Sequence, residues 1–221
     1  RQLISNKVNV KVVVRSRNNK LNDLMHNELM EVEVGNISEF DINKNMDLIN
    51  DCDAVLCCLG HNISFKGLFG KPRMLVGDSI KNICKAISRM QKDKVKLILM
   101  NTTGNMNRKI KENYSSADRI VLSILNILLP PQKDNVEAAT YLSNVVGENN
   151  SKIEWIAVRP DTLINKDNEV EYEIVESIKR SPVVDAGKTS RINVSRFMIE
   201  LLSNDELWNK WKSKMPVIYN N

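Results

Sequence analysis

The sequence predicts an α/β fold: a parallel sheet carrying helices on both faces. Three observations point there. Strand-like runs alternate with helix-like periodic segments along most of the chain. The strand runs are apolar on both sides, as strands covered on two faces must be; Val8, Val10, Val12, Val13 and Val14 form the first. No Gly/Ser linker, internal repeat or low-complexity tract divides the 221 residues, so one domain over 1–221 is expected.

Taken in order, Arg1 to Asn6 reads as the end of a helix entering the strand Val8 to Val14. A helix follows over Lys20 to Glu28, then a strand from Met30 to Val34, closed by Gly35. Ile42 to Ile49 is helical, Ala54 to Leu59 a strand ending at Gly60. A loop rich in Gly and Lys leads to Pro72. In the helix Arg73 to Met90, residues Leu75, Ile80, Ile83, Cys84 and Ile87 recur at near-helical spacing. Lys96 to Met100 is a strand, Ala117 to Leu129 a helix, and Asp134 to Val146 a second helix with Asp134 as its N-cap. The strand Ile153 to Val158 ends in Arg159-Pro160. Beyond Thr162 the chain is polar and irregular, and 162–221 is expected to form a small C-terminal substrate lobe. Its helices are Val194 to Leu202 and Asp205 to Lys212, with Trp208 and Trp211 as a packing face.

Composition narrows the function. Hydrophobic residues at 42% and charged residues at 27% suit an ordinary globular protein. The net charge of +5 is mild and spread out, and aromatic residues make up only 5%, so no stacking platform for nucleic acid is expected. The surplus of positive charge suits an anionic small molecule. The longest apolar stretch, Ile120 to Leu129, is interrupted by Ser123 and Asn126 and is too short to cross a bilayer; no signal peptide is evident. Cys52, Cys57, Cys58 and Cys84 form no Cys-x-x-Cys pair and read as reduced thiols of a cytoplasmic protein. His26 and His61 have no ligand spacing, so no metal is expected.

Ligands of parallel sheets bind beyond the carboxyl ends of the strands. The candidates are therefore Arg15 to Arg17, Gly35 to Ile37, Leu59 to Asn62, Asn101 to Gly104 and Arg159 to Thr162. The first group is the most telling. A carboxylate at the end of a second strand bonds a free ribose 2′-hydroxyl, whereas arginine suits a 2′-phosphate. Arg15, Ser16 and Arg17 stand there with no carboxylate, which favours NADP over NAD. The plain alternative is a pair of solvated basic residues.

These strand ends together resemble the atypical short-chain dehydrogenase/reductases, in particular their NmrA-like and flavin-reductase-like branch. The likeness runs in order along nearly the whole chain, through Val13-Val14-Arg15-Ser16, Val34-Gly35-Asn36-Ile37, Asp53-Ala54-Val55 with Leu59-Gly60, Leu97 to Gly104, Trp155 to Pro160, and Ser190 to Val194. The resemblance implies a Rossmann-like fold holding NADP. Arg15, Ser16 and Arg17 would hold the 2′-phosphate and Asn36 and Ile37 would lie against the adenine. Leu59, Gly60 and His61 would pass the ribose and pyrophosphate. Thr102 and Thr103 would occupy the fifth-strand turn, with Lys133 and Pro160 near the nicotinamide. Thr102 is the candidate catalytic residue, orienting a carbonyl or the nicotinamide amide; its plain alternative is a bond to local backbone. His61 is a further proton-donor candidate.

Four departures accompany the resemblance. The family's first strand and Gly-rich phosphate loop have no counterpart, since Arg1 falls beyond them; the expectation is an incomplete chain, because a sheet without that central strand leaves two edges open. Asn36 stands where aspartate is usual. No Tyr-x-x-x-Lys occurs, since Tyr114 is followed four residues on by Asp118, Tyr141 by Val145 and Tyr172 by Glu176. Thr102 replaces serine. The expected function is NADPH-dependent reduction of a small carbonyl, quinone or flavin-like acceptor by a monomer or homodimer. The alternative is an NADP-sensing regulator that binds a protein partner without turnover.

Overall fold

The structure is a computed structural model and describes residues 1–16, 24, 26–62 and 64–220. Arg17 and most of the helix expected over 20–28 lie outside the described residues, and Glu28 sits in a turn.

A short helix α1 (Gln2–Ser5) leads into β1 (Val10–Val14), which pairs in parallel with β2 (Met30–Val34). Helix α2 (Ile42–Ile49), N-capped by Asp41, carries the chain to β3 (Ala54–Cys57). A small helix α3 (Phe65–Phe69) and the long α4 (Leu75–Arg89) precede β4 (Val95–Met100). Helices α5 (Ser116–Leu128) and α6 (Pro130–Tyr141) precede β5 (Ile153–Pro160). The C-terminal part contributes β6 (Thr162–Ile164), β7 (Tyr172–Val175), β8 (Lys188–Ser190), α7 (Arg191–Ser203), α8 (Asp205–Trp211) and β9 (Val217–Asn220).

The main sheet has the order β3-β4-β5-β9-β7. β3, β4 and β5 run parallel, with Leu97 opposite Val55 on one side and Trp155 on the other. Period-2 alternation splits β4 between two cores. Leu97 and Leu99 meet Val76, Ile80, Ile83 and Ile87 of α4, together with Ala138 and Ala139 of α6. Ile98 faces the other way, toward Val194, Phe197, Met198 and Leu201 of α7 and Trp208 and Trp211 of α8. The tryptophan pair is the packing face expected. Burying one such Leu, Ile or Phe contributes roughly 1.5–3 kcal/mol, so α4 and α7 hold the sheet from opposite sides. This is the predicted α/β architecture with helices on both faces.

Two expectations need correction. The region after Thr162 is not irregular, for it supplies four strands. β9 is a four-residue run whose strand character comes from its partners: Arg159 and Pro160 of β5 on one side, antiparallel β7 on the other. Helix α6 starts at Pro130, four residues before the expected Asp134 cap. Proline suits a first helical turn, where its missing N–H has no intrahelical partner. Asp134 therefore lies inside α6, and its carboxylate serves a different helix.

Candidate functional site

β1 and β3 are not hydrogen-bonded to each other. Between them opens a cleft of ≈ 1410 Å³. One wall is Val10 to Val13 with Arg15, the other Ala54 to Leu59, and Gly35, Asn36 and Ile37 close the carboxyl end. The cleft thus brings together four residues expected at the cofactor: Arg15, Asn36, Ile37 and Leu59. Arg15 and Ser16 are exposed at the end of β1, where a guanidinium can meet an anion in solvent. Gly35 permits a tight turn, since a Cβ there would lie 2.5 Å from Phe40 Cζ. Asn36 caps the short turn Ile37–Glu39. Its amide oxygen accepts from Ser38 Oγ at 2.8 Å, and its nitrogen donates to Glu39 at 2.7 Å. The Asn36 side chain is engaged in shaping the turn.

A second group sits after β4 and β5. Thr102 Oγ1 accepts the Gly104 N–H at 3.1 Å, the local backbone bond that strand-end threonines favour. Asn101 anchors the same turn, donating to Asn135 O of α6 at 2.9 Å and accepting from Thr102 N at 2.8 Å. Thr103 is buried; its N–H donates to Pro160 O at 3.2 Å and its hydroxyl faces Asp161 Oδ1 at 3.4 Å. Thr103 and Pro160 therefore pin two strand ends together. Tyr114 is buried and donates its hydroxyl to Thr103 O at 2.5 Å; burial pushes its acidity far up, disfavouring the phenolate. Asp161, within the Arg159 to Thr162 strand end, is buried and accepts from Gly187 N at 2.7 Å and Thr162 N at 3.0 Å. Burial raises its carboxyl pKa above the ordinary value, against those N–H donors.

The third group centres on Asp134, whose side chain is fully buried. Its two oxygens accept the N–H groups of Val76 at 2.8 Å and Gly77 at 2.7 Å, so this residue of α6 caps the first turn of α4. Its Oδ2 also meets His61 Nε2 at 2.8 Å, and His61 Nδ1 lies 3.2 Å from Gly67 O. Both ring nitrogens are occupied by protein, which removes His61 as the proton donor considered from the sequence. Gly60 is exposed, with open space where a Cβ would sit. Lys133 points to solvent, 3.9 Å from Glu137. Gln132, which the sequence reading did not single out, donates to Gly104 O at 2.7 Å. The first turns of α6 thus tie the ends of β3 and β4 to α4.

Gly77 is part of this arrangement. A Cβ there would lie 3.0 Å from Asp134 Oδ1. Alanine is worth up to about 1 kcal/mol over glycine in an open helix. Here Gly77→Ala is expected to lower the urea midpoint, because the carboxylate must give way; a raised midpoint would show that it yields freely.

Among the described residues no group of His, Cys, Asp and Glu side chains could hold a metal ion, and no helix is long and apolar enough to cross a membrane. Burial pushes the Cys57 and Cys84 thiols up to about 12, as suits inert core residues.

Residues 1–205 match the model of a family described as NAD(P)H-binding. The chain belongs to this NAD(P)H-binding family. No curated protein matches it. Among solved structures, a short-chain dehydrogenase/reductase from Veillonella parvula DSM 2008 in complex with NADP superposes with a TM-score of 0.67 at 15% identity, over 99% of this chain and 86% of that one. The oxidoreductase ylbE from Lactococcus lactis gives 0.62 at 12%, over 99% and 83%. ChuY, an anaerobilin reductase from Escherichia coli O157:H7, gives 0.64 at 10%, over 99% and 88%. At these identities the likeness is one of fold, and it bears out the Rossmann-like architecture.

Proposed function

We propose that the protein binds NADP(H) across the carboxyl end of the cleft and reduces a small carbonyl, quinone or flavin-like acceptor. The observation that carries this reading is Arg15, exposed at the end of β1 on the rim of a cleft that Asn36, Ile37 and Leu59 also line. Its guanidinium would take the 2′-phosphate, with Ser16 beside it and Arg17 next in the chain. The backbone of the Gly35–Ile37 turn would meet the adenine. The dinucleotide would supply the hydride. The Thr102 turn would orient the nicotinamide or the acceptor, Lys133 and Pro160 would lie near the nicotinamide end, and 162–221 would shape the substrate side. A reductase of this kind would work in the cytoplasm as a monomer or homodimer. One structural neighbour is an anaerobilin reductase and another was solved with NADP, which supports a reductase reading.

Arg15→Asp tests the cofactor choice. A charge-assisted hydrogen bond contributes about 1.5–3 kcal/mol, so NADPH affinity should fall about 10- to 100-fold by titration calorimetry while NADH binding changes little. Equal losses for both nucleotides, or none, would remove the specificity argument.

A second reading is favoured by the tyrosines. Tyr114 is committed to Thr103 O, Tyr172 to Glu200, and Tyr219 is buried, accepting from Lys179 N at 3.2 Å. With these three phenols held by the fold, an NADP-sensing regulator that binds a protein partner is the alternative. Steady-state oxidation of NADPH against quinones, flavins and aldehydes separates the two: turnover supports the reductase, and NADPH binding without turnover supports the sensor.

A further inference from the structure

Helix α5 has a side that the fold leaves uncovered. Leu122 and Leu125 turn inward, to Tyr114, Ile178, Val217 and Tyr219. Ile120, Ile124 and Ile127 recur at spacings of four and three, so they form one row on the opposite side. Leu128 adjoins Ile124 on that row by the same four-residue spacing. Ile120 is 62% exposed, Ile124 48%, Ile127 80% and Leu128 62%. From Ile120 to Gln132 the chain carries no charged residue. Isolated apolar residues on a surface are ordinary, whereas a continuous apolar row marks a contact site.

The charges around this row are sorted by sign. Over 106–135 every base is exposed: Arg108, Lys109 and Lys111 before the helix, Arg119 near its start and Lys133 beyond its end. Every acid there is buried and bonded inside the fold: Glu112 to Arg159, Asp118 to Ser115 and Ser181, Asp134 to the start of α4. Lys109 meets Glu148 at 3.4 Å and Lys133 meets Glu137 at 3.9 Å, exposed pairs of the weak kind. Arg119 donates to the backbone oxygens of Tyr114 and Glu112, which keeps its charge uncompensated and holds the 104–113 loop against the start of α5. Among the described residues Arg108, Lys111 and Arg119 have no carboxylate partner.

The two features together choose the partner. A second copy would bring two sets of like charges face to face, which opposes self-association through this row. An anionic lipid surface suits both. Apolar side chains enter the boundary between head groups and acyl chains, while flanking bases meet lipid phosphates and carboxylates. We propose that α5 is a membrane-surface helix. It docks the protein on an anionic bilayer through Ile120, Ile124, Ile127 and Leu128, with Arg108, Lys111 and Arg119 at the head groups. It lies on the bilayer and does not span it. Gln132 beyond one end of α5 holds Gly104, and Tyr114 before the other holds Thr103, so docking would also fix the Thr102 turn relative to the bilayer.

Vesicle flotation of the 221-residue chain tests this without nucleotide, and so stands apart from the cofactor reading. The probes are vesicles of phosphatidylcholine alone and of phosphatidylcholine with phosphatidylserine at about three to one. Binding to the anionic vesicles should be about tenfold tighter or more, and should weaken as salt is raised. Ile124→Ser/Ile127→Ser should lower it by about tenfold or more with the urea midpoint kept. Arg108→Glu/Lys111→Glu should lower it as well. Ile127→Trp gives a local readout that needs no loss of binding. Trp155, Trp208 and Trp211 are buried, so brominated lipid should quench the fluorescence of this variant and not that of the parent chain. No binding to anionic vesicles, binding that the serine pair leaves intact, or an unquenched tryptophan would each overturn the proposal. So would a dimer in ultracentrifugation that the serine pair splits, because the row would then face a second copy.

Discussion

Asp134→Ala is expected to destabilise the protein by about 3–5 kcal/mol, because it strands buried hydrogen-bond donors at about 1–3 kcal/mol each. The carboxylate is fully buried and holds three donors: Val76 N, Gly77 N and His61 Nε2. Alanine would leave the first turn of α4 with two buried N–H groups unpaired, and a lost cap alone costs about 0.5–2 kcal/mol. It would also release the loop that His61 closes onto Gly67. Two companion variants apportion the effect. His61→Ala keeps both cap bonds and should cost clearly less than Asp134→Ala. Asp134→Asn keeps one acceptor oxygen and should fall between them. Urea denaturation reads all three. A loss below about 1 kcal/mol for Asp134→Ala would mean that water or the α4 backbone compensates, and the clamp would lose its structural meaning.

The clamp shows where sequence reading stopped and why. The helices with a strong periodic face were legible: α4 was expected over Arg73 to Met90 and runs Leu75–Arg89, because its stripe of Ile and Leu fits one core. Strands β2 and β4 were legible as short runs with apolar residues at alternate or successive positions, bounded by Gly or Asn. Asp134 was seen as a cap, and it is one, but for a helix some sixty positions earlier in the chain. Local spacing carries no signal for that pairing. The strands after Thr162 were missed on similar grounds, since β6 and β8 have three residues each and β9 gains its strand character from β5 and β7. At the candidate site, the carboxyl-end rule and the Arg15 signature located one rim of the cleft. It could not show that His61 is occupied on both nitrogens or that the Asn36 amide is turned into its own turn, because those facts depend on partners brought together by folding.

Glu112→Gln is expected to cost about 3 kcal/mol and Glu112→Ala up to about 5 kcal/mol, from an uncompensated buried charge. Arg159, at the end of β5, has no exposed side-chain surface, and Glu112 is 2% exposed. The pair is bidentate, with Nη2 to Oε1 at 2.7 Å and Nη1 to Oε2 at 3.1 Å. The guanidinium also donates to Met215 O at 2.8 Å and Asn105 O at 2.9 Å, and Glu112 accepts from Asn107 N. One arginine therefore fastens the loop after β4 and the segment entering β9 to the central strand. Glutamine keeps the shape but turns one acceptor into a donor aimed at another donor. The double variant Glu112→Leu/Arg159→Met should lose less than the sum of its singles, since no charge is left stranded. Limited proteolysis adds a local readout: cleavage within 104–113 should rise in the single variants before global unfolding does. The same loop begins at the Thr102 turn, so on the proposed reductase reading Glu112→Gln should lower NADPH-dependent turnover through misplacement of that turn while NADPH affinity at Arg15 is kept. Loss of both together would indicate that the Thr102 turn and the end of β1 unfold as one unit, and an unchanged urea midpoint would mean that the ion pair contributes no net stability.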